Sequence, residues 1–86
     1  MVKLRIHCIE QIRPRMFIGI VGDLKKKHPD EWKDGKVQAY YERDWIVVET
    51  NDERLANDFM KGWRTFFSKS ARSALRGAGV RMELVA

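Results

Sequence analysis

The chain has 86 residues, 44% hydrophobic and 34% charged. That composition suits one folded domain over 1–86 and excludes a second core and a disordered chain. Seventeen Lys and Arg against twelve Asp and Glu leave a net charge of +5, which favours polyanionic partners, nucleic acid before an acidic membrane surface. No apolar run approaches the roughly 20 residues of a membrane span. The start, Met-Val-Lys-Leu-Arg-Ile-His, lacks the apolar stretch of a signal peptide. A single cysteine, Cys8, excludes an internal disulfide, so the cytoplasm is the expected compartment.

Residues 2–9 alternate. Val2, Leu4, Ile6 and Cys8 fall on one face, and Lys3, Arg5 and His7 on the other. This pattern predicts a half-buried strand. Over 14–28, Pro14 suits a first helical position. Phe17, Ile20, Val21 and Leu24 then follow helical spacing. The run Lys25–Lys27 suits a helix C-terminus, and Pro29 opposes continuation. A strand over Met16–Val21 is the competing reading, and the length of the segment favours the helix.

His28 to Lys36 reads as a turn, with Trp32 folding back on the core. Residues 37–42 and 45–50 read as a hairpin across Arg43-Asp44. A two-residue loop sets Tyr41 opposite Ile46 and Ala39 opposite Val48. Val37, Ala39, Tyr41, Ile46 and Val48 then form the core face. A slip of one residue would exchange the faces of one strand.

Thr50 and Glu53 have capping-box spacing, with Asn51 as an alternative cap. From Arg54 to about Arg76 the pattern is helical. Leu55, Ala56, Phe59, Met60, Trp63, Phe66, Phe67, Ala71 and Ala74 fill one arc. Gly77 and Gly79 stop the helix. Val80, Met82 and Leu84 alternate with charged residues and predict a last strand.

The order β-α-β-β-α-β predicts an α+β, ferredoxin-like sandwich. Its four-stranded antiparallel sheet has the order 4-1-3-2, with two helices on one face. That fold hosts many functions, so function rests on its two surfaces.

The long helix is the first. Between 54 and 77, Arg54, Lys61, Arg64, Lys69, Arg72 and Arg76 stand against Asp58 alone. All six cations lie opposite the apolar arc, with Thr65, Ser68 and Ser73 near them. A helix of about 23 residues spans roughly 35 Å and passes many phosphates. The Lys25–Lys27 run extends the patch if the first helix lies beside it. Lys61, Arg64, Lys69, Arg72 and Arg76 are therefore the candidate nucleic-acid contacts. Arg54 is less favourably placed, near Asp52 and Glu53. RNA is preferred slightly to DNA, by analogy of fold alone. An anionic membrane surface is disfavoured, because Trp63, Phe66 and Phe67 are needed for the core. A solvated amphipathic face is the plainer alternative.

The free sheet face is the second surface. Arg5, Tyr40, Trp45 and Val47 make it a candidate oligomer or base-stacking face, and a homodimer is the simplest oligomer. Aromatics on the central strands, as RNA-binding sheets use them, are missing from residues 2–9. Enzyme signatures are missing too: no Cys-x-x-Cys, no His-Glu-x-x-His and no phosphate-binding glycine loop occurs. No metal or cofactor is expected. The sequence points to a non-enzymatic nucleic-acid-binding domain. The alternative is an oligomerising interaction module whose basic helix docks an acidic protein.

Overall fold

The computed structural model describes the backbone of residues 1–69 and 80–85, and side chains for 1–65 and 80–85. The elements run β1 (Val2–His7), α1 (Arg13–Lys27), α2 (Pro29–Lys33), β2 (Val37–Glu42), β3 (Trp45–Thr50), α3 (Glu53–Lys69) and β4 (Arg81–Val85). The four strands form one antiparallel sheet in the order β2-β3-β1-β4, which counted from β4 reads 4-1-3-2.

The described residues form three helices, where the sequence reading gave two. The addition is α2, in the segment read as a turn. Pro29 begins it, and Asp30 and Glu31 lie in its first turn, where acids meet the positive end of the helix dipole. Trp32 fixes it by packing half-buried against the core. The chain then leaves through Gly35, whose φ of 73° is left-handed.

The hairpin has the register that a two-residue loop dictates. Tyr41 pairs with Ile46 and Ala39 with Val48. Arg43, in that loop, has a φ of 57°. Leu4 and Ile6 of β1, Ile46 and Val48 of β3 and Val37 of β2 join Met16, Ile20 and Leu24 of α1 and Leu55 and Phe59 of α3 in one buried cluster. Helix α1 buries Met16, Ile20 and Leu24, while Phe17 and Val21 are half-buried. Its inward stripe thus follows the i, i+4, i+8 row. Tyr41, at the end of the core face, is exposed and stacks on Phe17 with centroids 4.5 Å apart.

Helix α3 is capped by Asp52, not by Thr50 or Asn51. The Asp52 carboxylate accepts the N–H groups of Arg54 at 3.0 Å and Leu55 at 3.3 Å. Its carbonyl takes the Ala56 N–H. Thr50 is held in the sheet opposite Val2 and Val37, and its hydroxyl accepts the Asp52 N–H at 3.1 Å. The predicted capping box fails because Thr50 is still strand. Leu55, Ala56 and Phe59 are buried, and Met60 and Trp63 half-buried. The predicted course from 70 to Arg76 lies outside the described residues, as do the side chains of Phe66 and Phe67.

Candidate nucleic-acid interface

Helix α3 presents Lys61 and Arg64 as exposed side chains. Neither forms an ion pair among the described residues. The sequence alone places them there: both fall away from the Leu55–Phe59 stripe at 100° per residue. Lys69 ends α3 with its side chain outside the described set, and Arg72 and Arg76 lie wholly outside it. Thr65, read as a donor beside the patch, gives its hydroxyl proton to the Lys61 carbonyl at 3.0 Å. Such back-bonding inside a helix is common for threonine. It removes Thr65 from the expected phosphate contacts.

The C-terminal turn of α1 brings three more cations. Lys25 lies 5.7 Å from the Trp32 ring centre, and Lys27 pairs with Asp23 at 3.3 Å. Lys26 is exposed and has no ion pair among the described residues. A hollow of about 350 Å³ separates this turn from α3, lined by Gly19, Gly22, Asp23, Lys26, Lys27, Gly62 and Trp63. Lys27 Nζ lies 3.8 Å from where a Cβ on Gly62 would sit. The lysine run therefore adjoins α3. The sequence signalled the run but not that Lys27 would reach Gly62 of α3.

The open sheet face is built differently. Period-two alternation and the register place its residues in three rows across β2, β3, β1 and β4. The first row is Gln38, Glu49, Lys3 and Val85. The second is Tyr40, Val47, Arg5 and Glu83, and the third Glu42, Trp45, His7 and Arg81. Three cations meet three carboxylates here, and most of them pair. Lys3 reaches Glu42 at 3.6 Å and Glu49 at 3.8 Å. Arg5 is bonded to Glu83, and the Tyr40 hydroxyl donates to Glu49 at 2.9 Å. Tyr40 first, then Glu42, holds the Lys3 ammonium above its ordinary pKa. Desolvation first, then the bond to Glu49, raises the Tyr40 phenol.

Trp45 is engaged from several sides. The Arg5 guanidinium lies 4.3 Å and that of Arg81 5.6 Å from its ring centre, and the His7 ring is 5.0 Å away at 58°. A base would have to displace Arg5 to stack there. Val47, read as a contact of this face, is 0% exposed although it lies outside the core cluster. Its row neighbours Arg5 and Tyr40, and the Lys3–Glu42 pair that bridges β3, cover it. Arg5, Tyr40 and Trp45 remain at the surface, and Val47 is their floor.

At the other end of the chain's chemistry, Cys8 is fully buried. Burial pushes its thiol pKa up, opposed by the nearby Arg13. Arg13 donates to the Cys8 carbonyl at 3.0 Å and lies 3.7 Å from Asp44, fastening the start of α1 to the hairpin loop. Among the described residues no three His, Cys, Asp or Glu side chains gather as a metal site would require. No helix among them is long and apolar enough to cross a membrane. No family model matches the chain, and neither a curated protein nor a solved structure shows significant similarity to it.

Proposed function

We propose that the protein binds the phosphate backbone of nucleic acid through its helix layer, without catalysing a reaction. One observation carries this reading: the charge is segregated. The three helices hold ten Lys and Arg against five Asp and Glu, while the strands hold three of each. The strand charges are largely paired, whereas Lys26, Lys61 and Arg64 face solvent and form no ion pair among the described residues. A cation already neutralised gains little from a phosphate. A free one releases counterions from the polyanion, which dominates such affinity.

The framework is read as a ferredoxin-like sandwich, with α1 and α3 on one sheet face and α2 added beside them. RNA is preferred slightly to DNA, and the cytoplasm is the assigned compartment. Lys61, Arg64 and Lys26 neutralise phosphates, joined by Lys69, Arg72 and Arg76. The preference is for backbone, not base sequence, because Trp45 is engaged by Arg5.

The test is a fluorescence-anisotropy titration with labelled single-stranded and duplex RNA and DNA over a salt series. The expected result is binding that weakens steeply with salt. Joint reversal by Lys61→Glu and Arg64→Glu should lower affinity by about tenfold or more and flatten the salt slope by about two. A chain that binds none of the four at about 50 mM salt overturns the reading.

A further inference from the structure

The open sheet face is neutral, nearly square and matched to itself. We propose that it is a homodimer interface, in which two copies meet sheet to sheet about a twofold axis running along the strands between β3 and β1. The order β2-β3-β1-β4 puts the midline of the sheet there. Rotation about that line lays β3 of one copy over β1 of the other, and β2 over β4, and it keeps each row on itself.

The rows then meet in complementary fashion. In the first row Glu49 faces Lys3 of the second copy, and Gln38 faces Val85. In the second, Tyr40 faces Glu83 and Val47 faces Arg5. In the third, Glu42 faces Arg81 and Trp45 faces His7. No like charges meet, and each contact occurs twice, as a twofold interface requires. The other face-to-face twofold, running across the strands, sets Arg5 on Arg5 and Glu83 on Glu83. Charge complementarity therefore selects one symmetry. Aligned sheets pack about 10 Å apart and cross near −30°, within the reach of these long side chains.

Energetics assign the parts. Trp45, Tyr40 and the exposed Val85 supply apolar contact. The ion pairs roughly break even against their desolvation and set the register. Four strands about 4.8 Å apart, three of six residues and one of five, make a footprint of roughly 20 by 20 Å. Over both copies that is roughly 800 Å², below the standard size of specific interfaces and in the range of weak, transient ones, so the dimer is weak, with a dissociation constant of micromolar order or above. The charge layering fits the same occupant. A neutral face admits a second copy, and both basic helix layers end up outermost. They lie more than about 20 Å apart, beyond the roughly 8 Å screening length. The proposal is independent of the nucleic-acid reading.

Glu42 and Arg81 provide the test. Both are exposed, and within one chain they sit on opposite edges of the sheet. They cannot pair except between copies. Sedimentation equilibrium without nucleic acid, from about 1 to 500 μM, should show a monomer–dimer equilibrium. Glu42→Lys alone and Arg81→Glu alone should each weaken it by about tenfold or more, since each change acts twice. Mixing the two variants should restore association, because every 42–81 contact in the mixed dimer joins opposite charges. Circular dichroism verifies that both variants are folded. A wild-type chain that stays monomeric, or a mixture no more associated than its components, overturns the proposal.

Discussion

Arg5 and Arg64 are chemically alike, yet their surroundings differ. Arg5 is bonded to Glu83 and lies on Trp45, whereas Arg64 is exposed with no ion pair among the described residues. The sequence showed the type and the face of both. It could not show the pairing, which depends on Glu83 arriving from β4 some eighty positions away. The same limit explains Val47. Its place on the outer face follows from alternation, but its burial follows from the side chains of Arg5, Tyr40, Lys3 and Glu42 that lie around it. Cys8 was legible as a small core residue, and its burial yields a pH prediction. The folded thiol holds its proton above the ordinary value of 9.0, whereas the unfolded thiol ionises near it. Ionisation therefore favours the unfolded chain, and stability should fall as pH rises past about 9. Urea unfolding at pH 8 and pH 10 should show a larger loss for the wild type than for Cys8→Ala. Equal losses would show that the thiol is not the cause.

Elements were legible where the pattern is long or the geometry closed. The hairpin followed because a two-residue loop leaves one register, and that register buried Ile46 and Val48. The amphipathic stripe of α3 followed from Leu55, Ala56 and Phe59. Helix α2 did not, because five residues are too short for a period and depend on Trp32 finding the core. The cap of α3 was misplaced by two residues: Thr50 was read both as the last residue of the 45–50 strand and as the cap, and its pairing with Val2 and Val37 holds it in the sheet. The helix layer also carries glycines whose cost can be measured. Among the described residues, Gly22 has no atom within 4 Å of an added Cβ, and Gly62 has only the flexible end of Lys27 at 3.8 Å. Alanine at either site meets no obstacle and has the better helix propensity by about 1 kcal/mol. Gly22→Ala and Gly62→Ala should each raise the melting temperature by about 4–8 °C. An unchanged or lower value would show that the α1–α3 groove needs a bare backbone for its own packing.

At the scale of the whole molecule, the protein is two electrical layers. The helices hold the net positive charge, and the sheet is balanced. Composition gave the sum of +5 but not its layering. The layering emerged when the strand register gathered every strand charge on one face. It separates the two proposed roles, polyanion binding on the helices and self-association on the sheet, which share no residues. The most direct test of this division is an amide chemical-shift titration of the isotopically labelled protein with a short single-stranded RNA. Perturbations centred on residues 25–27 and 61–65, with Arg5, Tyr40 and Trp45 unmoved, are the result the layered account predicts. Perturbations centred on the sheet face, with Lys61 and Arg64 unmoved, would contradict it.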